Sequence, residues 1–364
     1  MTVPPLRVVI DGRPLVGNRT GIGVHTAELA ARIAVTPGPL IASHAPIADR
    51  TSIDSCRFRV DRAPLGVIWQ QLLLPGIATE DKADVVWGPH GTLPLRLAQP
   101  GVATIHDFTS ITMAGRHKLS TLASFNTFIG PSLAKAAAIA AVSRTTAEEA
   151  IRGFGIDRSK IEIVPNGVDS YFSPQEAAEG DALPAGIAPG SYILYVGTVE
   201  PRKGLPDLVA AWSALRAPRP PLVVCGDRGW RTTRLNREME ANPGIHRIGF
   251  AGRGLLRALY RNALVFVYPS RYEGFGLPPL EAMACGAPVV TTRAGAMPEV
   301  VGEAAMLVDA RDRQALAEAI ERVRQSQSLR LELRGRGLER AALFSWDRSA
   351  ALMTELLLRA AGRG

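Results

Sequence analysis

No stretch of 18 apolar residues occurs in the chain, so no segment reads as a membrane-spanning helix. The nearest approach, SLAKAAAIAAVS, is short, rich in alanine and interrupted by Lys135. Cysteine is scarce. Cys56, Cys225 and Cys285 make an odd count without metal-ligand spacing, and the last two sit in apolar runs. That usage excludes a disulfide scaffold and suits a reducing cytosol. The first residues, MTVPPLRVVIDG, lack the charged-then-apolar order of a signal peptide and read as an opening strand over Leu6–Ile10. No aromatic-rich basic strand and no basic recognition helix is visible, which argues against nucleic acid as a partner. No Asp-x-Asp metal motif stands in a suitable loop, and no metal site is expected. The balance is otherwise that of a globular protein, with 46% hydrophobic and 21% charged residues.

The 364 residues exceed one ordinary core, so two domains are expected. The net charge of +8 is uneven: residues 202–271 hold 13 Lys and Arg against 4 Asp and Glu. Such a bias either attracts an anion or makes a solvated basic face. Apolar runs of strand length alternate with helical segments. LRVVI precedes TGIGVHTAELAARIA, then come ADVVWGP, VATIHD, AAAIAAVS, the helix RTTAEEAIRGFG and IEIVPNGV. Continuous apolar strands joined by helices argue for a parallel sheet covered on both faces. Residues 173–191, rich in Pro, Gly and Ala, read as a linker. The alternation then restarts at YILYVGT and runs to the helix DRQALAEAIERVRQS. The fold class expected is α/β, with two Rossmann-like domains facing across a cleft that takes a ligand. The boundaries are 1–172 for the N-terminal domain, 173–191 for the linker and 192–345 for the C-terminal domain. A closing amphipathic helix, 346–361, carries Ala351, Leu352, Leu356 and Leu357 as its apolar face.

Four motifs could carry chemistry. In NRTGIGVHTAEL, Gly21 and Gly23 open a helix after the first strand, where free N–H groups and small residues admit an anion. The third glycine of a dinucleotide fingerprint is missing, so a plain strand-to-helix turn is an equal reading. In ATIHDF, His106 and Asp107 end a buried strand, where ligands of open sheets collect. A histidine capping nearby backbone is the alternative. In YVGTVEPRKGL, Arg202 and Lys203 stand in the loop before a helix and suit a diphosphate, or are two solvated charges. In RYEGFGLPPLEAMACGAPVV, Glu273 and Glu281 are separated by seven residues that include Gly274, Gly276, Pro278 and Pro279. The prolines suit a first helical turn, the glycines allow close approach, and carboxylates accept from sugar hydroxyls.

In this order and at these separations, the four motifs resemble the retaining glycosyltransferases of family 4 (group 1), which have the GT-B fold. The resemblance runs over nearly the whole chain, and the E-x7-E motif at Glu273 and Glu281 is its most specific part. TGIG and VGTVEPRKG are similar to bacterial mannosyltransferase-type members that build lipopolysaccharide or exopolysaccharide. The resemblance implies that Gly21 and Gly23 lie beside the donor diphosphate and that His106 reaches the transferred sugar. Arg202 and Lys203 would hold the diphosphate, and Glu273 the sugar, with backbone contacts from Gly274, Phe275, Gly276 and Leu277. Glu281 would hold the ribose, and the loop near Gly249–Gly254 would lie by the base. The closing helix would pack back on the N-terminal domain. Thr198 stands where many members carry an arginine, and Arg202 would supply that charge.

The partners implied are a nucleotide sugar, GDP-mannose first and a UDP-sugar next, and a saccharide or lipid-linked acceptor. Residues 108–130, with Arg116, His117 and Lys118, would help to form the acceptor pocket. No cofactor and no metal is expected, because charge on the leaving phosphate would be met by Arg202, Lys203 and a helix start. The location expected is cytoplasmic, with contact at the inner face of the membrane. Two other classes stand beside this one. A sugar-nucleotide 2-epimerase shares the fold but not E-x7-E with EPRKG, and a catalytically dead binding subunit would not need every motif position filled.

Overall fold

The computed structural model describes residues 5–17, 21–109, 119–175, 182–227, 229 and 233–363. The loop residues Arg116, His117 and Lys118 lie outside these. The chain divides into two compact units, Met1–Gly167 with Ser345–Gly364, and Val168–Phe344.

The first unit is built on a seven-stranded, wholly parallel sheet. Its strands are β1 (Val8–Asp11), β2 (Leu40–Ser43), β3 (Arg57–Val60), β4 (Val85–Gly88), β5 (Gly101–Ile105), β6 (Ala138–Ala141) and β7 (Ile161–Ile163). They lie in the order β3-β2-β1-β4-β5-β6-β7. β1, β2, β4, β5 and β6 are buried at every position, as a sheet covered on both faces requires. The opening strand begins two residues later than the Leu6–Ile10 expected. The Leu6 N–H bonds to the Thr36 carbonyl and the Arg7 N–H to the Asp84 carboxylate, so both are spent before the ladder starts. Sequence reading passed over β2 and β3. β3, RFRV, is a half-exposed edge strand whose arginines break its apolar run.

The helix Arg144–Phe154 has clear stops: Ser143 accepts from the Thr146 N–H, and Gly155 takes a left-handed φ of 64°. The last helix, Trp346–Ala360, packs on the helix Gly21–Arg32 and on β4, β5 and β6. Its buried face is Trp346, Ser349, Ala350, Met353, Leu356 and Leu357. Ala351, expected on that face, is exposed, and Leu352 is only half-buried. The stripe starts from the indole of Trp346 and repeats at three- and four-residue steps from there.

The second unit has a six-stranded parallel sheet. β8 (Ile193–Val196), β9 (Leu222–Cys225), β10 (Ile245–Arg247), β11 (Val265–Tyr268), β12 (Val289–Thr292) and β13 (Met306–Val308) lie in the order β10-β9-β8-β11-β12-β13. Residues 168–172, placed above in the N-terminal domain, belong to this unit. They are held by Arg253, whose Nη2 pairs with the Asp169 carboxylate at 2.5 Å, and by Arg257, which lies 4.1 Å from the Tyr171 ring centroid. The helix Gln327–Ala342 had no readable period, because Gly335, Gly337 and its arginines dilute a stripe of Leu333, Gly337 and Ala341. That stripe meets the helix Leu277–Ala284, where a Cβ on Gly337 would touch Met283 at 3.4 Å.

In both sheets the strand order reverses once, between β1 and β4 and between β8 and β11. The carboxyl ends of such strand pairs diverge and leave a crevice.

Candidate active site

The second unit's crevice is stitched from two loops. After β8, the single turn Pro201–Lys203 ends at Gly204, whose φ is 70°. A Cβ there would overlap the carbonyl oxygen of Pro269, so only glycine lets this turn lie against the end of β11. The Arg271 N–H donates to the Arg202 carbonyl at 2.8 Å. Arg271 also bonds the buried Asp207 carboxylate at 2.8 and 3.1 Å, bracing the loop after β11 on the helix Leu205–Ser213.

These constraints bring Arg202, Lys203 and Glu273 together. Glu273 is buried, and its Oε1 accepts from Lys203 Nζ at 2.7 Å, Ser270 Oγ at 2.6 Å and Tyr268 Oη at 3.0 Å. Arg202 Nη1 lies 3.4 Å from its Oε2, and Arg202 Nε lies 2.9 Å from Glu200. Lys203 Nζ also donates to Tyr268 Oη at 2.6 Å. Burial pushes the Glu273 carboxyl up, but the Lys203 and Arg202 charges, with hydrogen bonds from Lys203 and Ser270, outweigh it and hold it at about 2. Burial pulls the Lys203 ammonium below its ordinary value, and the Glu273 charge works against that. The two cations thus face two carboxylates, Glu273 and Glu200.

Beyond Glu273 the chain turns into the helix Leu277–Ala284. Gly276 has φ 108°, and a Cβ on it would overlap the Met297 side chain. Gly295, at φ 58°, lies so close to the Glu273 backbone that it admits no Cβ either. Pro278 and Pro279 remove two N–H groups from the first turn. Among the described residues, the N–H groups of Gly276 and Leu277 have no partner and remain for a ligand. Phe275 is buried edge-on to Phe344 at 5.7 Å, so its side chain belongs to the core.

Glu281 has a separate set of neighbours. It is half-buried and accepts from Tyr260 Oη at 3.0 Å. Burial raises its carboxyl to about 7, against the opposing effects of the Tyr260 hydrogen bond and the Arg253 charge. The two glutamates share no partner among the described residues. In the loop near Gly249, Gly249 has φ 49° and Phe250 is exposed.

In the first unit, Gly21 and Gly23 form the first turn of the helix Gly21–Arg32. His106 follows β5, and its Nε2 lies 2.8 Å from the Pro89 carbonyl. A carbonyl only accepts, so that nitrogen carries the proton and Nδ1 is the acceptor. Burial lowers the His106 pKa, keeping the ring neutral. Asp107 accepts from the Thr109 N–H and hydroxyl at 3.0 and 2.6 Å, which closes a local turn. His25, which sequence reading did not single out, stands edge-on to His106 at 4.7 Å, and its Nδ1 meets Asn166 Oδ1 at 2.7 Å. Tyr268, Ser270 and Tyr260 were missed as well. The apolar run LVFVYPS hid the first two, although their place at the end of a strand was a usable signal.

The second unit matches the family model for glycosyl transferases group 1 over residues 188–340, and the first matches that for glycosyltransferase family 4 over residues 20–171. O-antigen chain mannosyltransferase B of Escherichia coli is 32% identical, over 94% of this chain and 97% of its own. Among solved structures, sucrose-phosphate synthase from Thermosynechococcus elongatus superposes with a TM-score of 0.79 at 21% identity over all of both chains. Anabaena HepE in complex with UDP-glucose does so with 0.76 at 17%, over 97% of this chain and all of its own. This chain belongs to the family 4 (group 1) glycosyltransferases. It is an enzyme of that class with the GT-B fold.

Proposed function

We propose that the enzyme transfers a hexose with retention of configuration, mannose from GDP-mannose in the first instance. The acceptor is a saccharide or lipid-linked saccharide of a bacterial polysaccharide or lipopolysaccharide. The observation that carries this reading is the full-length likeness to an O-antigen mannosyltransferase, joined to the Arg202, Lys203 and Glu273 cluster at a strand switch point.

The costly event is departure of the nucleoside diphosphate. Negative charge then grows on the β-phosphate and positive charge on the sugar ring. Arg202 and Lys203 take the phosphate, leaving Glu273 to accept from sugar hydroxyls and to face the developing positive charge. Charges already fixed in a dry site need no reorganisation as the bond breaks. The N–H groups of Gly276 and Leu277 add to them. Glu281 accepts from the ribose, and His106 Nδ1 accepts from a hydroxyl of the transferred sugar. Gly21 and Gly23 bind the donor diphosphate at the start of their helix. The acceptor hydroxyl attacks from the face the leaving group vacates, its oxygen bonding to the anomeric carbon as the bond to the phosphate oxygen breaks, and its proton passes to the departing diphosphate. No cofactor or metal enters this scheme, so treatment with a chelator should leave turnover unchanged.

A lipid-linked acceptor would bring the enzyme to the inner membrane surface. Among the described residues no helix is long and apolar enough to cross a membrane. A UDP-sugar donor is the second reading, favoured by HepE's complex with UDP-glucose. A thermal-shift panel separates the two. GDP-mannose and GDP should raise the melting temperature well above the effect of UDP-glucose and UDP, and the reverse order would replace mannose transfer by the second reading.

A further inference from the structure

The two oxygens of Glu273 are unequally engaged. Oε1 accepts from Lys203 Nζ at 2.7 Å, Ser270 Oγ at 2.6 Å and Tyr268 Oη at 3.0 Å. Oε2 has only Arg202 Nη1 near it, at 3.4 Å, which is long for a charge-assisted bond. A carboxylate oxygen offers about two lone-pair sites. Oε1 is therefore filled by the protein, and Oε2 keeps room for a donor from outside.

Lys203 is divided in the same way. Of the three N–H groups of an ammonium, one goes to Glu273 Oε1 and one to Tyr268 Oη at 2.6 Å. Among the described residues the third has no acceptor. An ammonium cannot accept, so the Tyr268 oxygen accepts from Lys203 and gives its single proton to Glu273. Lys203, Tyr268 and Glu273 thus close a ring of three hydrogen bonds, of 2.6, 3.0 and 2.7 Å. Each member can swing out of it only by breaking two of them.

Tyr268 is the rigid corner of that ring. It ends β11 fully buried, its side chain is stacked between Tyr195 and Phe266 with centroids 6.3 and 6.0 Å away, and its carbonyl accepts from Thr291 Oγ1 at 2.8 Å. Lys203 hangs on a flexible four-carbon stem. Burial and the Glu273 charge hold the phenol well above its ordinary pKa, so the proton stays on its oxygen. For packing alone a phenylalanine would fill this space; the hydroxyl serves Lys203 and Glu273. We propose that Tyr268 is a positioning residue of the transfer: its hydroxyl aims the third Lys203 N–H at the donor phosphate and Glu273 Oε2 at the transferred sugar. This rests on the transferase reading and deepens it.

The test uses the full chain. With 3-fluorotyrosine at position 268 alone, the fluorine signal should shift and saturate on addition of GDP or UDP, because the phosphate charge meets Lys203 beside the ring. A signal unmoved at a nucleotide concentration that saturates the protein by calorimetry overturns the proposal. Tyr268→Phe keeps the ring and removes only the oxygen. Its kcat should fall about 10-fold, the worth of one hydrogen bond to a charged group. The Kd of the nucleoside diphosphate should move by less than about threefold, since the Lys203 charge remains. Unchanged kcat, or a loss that lies wholly in Kd, overturns the proposal. Added to Glu273→Gln, Tyr268→Phe should cost clearly less than it does alone, because it acts through that carboxylate. An equal loss in both backgrounds would mark the hydroxyl as packing and overturn the positioning role. Near-ultraviolet circular dichroism checks the fold of each variant, and the fluorine signal decides by itself where Tyr268→Phe does not fold. Saturating fluorine shifts in protein that transfers no hexose would leave the ring at the nucleotide site standing and count against the transferase reading alone.

Discussion

Replacing Glu273 by glutamine separates its two partnerships. In the free enzyme the carboxylate is bonded to Lys203 at 2.7 Å and lies 3.4 Å from Arg202. The amide keeps the volume and retains hydrogen bonding with Ser270 and Tyr268, but it no longer neutralises the two cations. Breaking a buried pair leaves an uncompensated charge and costs roughly 3–5 kcal/mol of stability. A diphosphate supplies the missing counter-charge. Free GDP or UDP should therefore bind tighter to Glu273→Gln than to wild type, by up to the value of one charged hydrogen bond, about 1.5–3 kcal/mol. That is roughly 10- to 150-fold in Kd. Transfer should fall by about 2–4 kcal/mol, the cost of a lost transition-state group. Calorimetry with the nucleoside diphosphates and turnover with the sugar donor read the two effects separately. Weaker nucleotide binding together with lost transfer would refute the reasoning, because it would place the nucleotide itself on Glu273.

Lys203→Ala should give the other pattern, with weaker nucleotide binding and transfer reduced by about 2–4 kcal/mol; near wild-type turnover would remove the diphosphate assignment. Glu281 should give a pH signature. Its carboxyl is raised to about 7 in the free enzyme, ribose hydroxyls donate to the ionised form, and nucleotide affinity should rise as pH passes upward through 7. That step should be missing in Glu281→Gln, as measured by calorimetry at pH 6 and 8. The raised value also means that this group's contribution to stability is fully present below 4.5 and lost as pH rises through 7. Glu273, depressed to about 2, behaves oppositely: its contribution is present above 4.5 and lost as pH falls through 2. Truncation after Phe344 should uncover the surfaces that Trp346, Met353 and Leu357 bury and yield aggregated protein in gel filtration; a monodisperse, active product would contradict this.

The loops that bring Arg202, Lys203 and Glu273 together were legible because their signals are local. A strand that ends in Gly197 and is followed by adjacent Arg and Lys can be read without a partner. So can two glutamates spaced around glycines and prolines. The pairing of Lys203 with Glu273 was not legible, since 70 residues separate them and a ligand was assumed between them. The same holds for His25 and Asn166, 141 residues apart. Their bond depends on where the fold brings the two segments, which no local pattern encodes. The cluster of Asp11, Arg13 and Gln70 was hidden for another reason. IDGRPL reads as a strand and a turn, and the buried Asp11 and Gln70 look like ordinary polar residues until the β1–β4 reversal sets them at one crevice. Edge strand β3 and the helix Gln327–Ala342 escaped because arginine and glycine mask their apolar positions.

The central claim is transfer of a hexose with retention from a nucleotide sugar. It is tested most directly by incubating the enzyme with GDP-mannose and a mannoside acceptor and reading the anomeric proton of the product by NMR as it forms. The account predicts release of GDP matched by an α-linked product, and loss of both in Lys203→Ala. A β-linked product, or GDP-mannose left unconsumed while another nucleotide sugar is used, would contradict it.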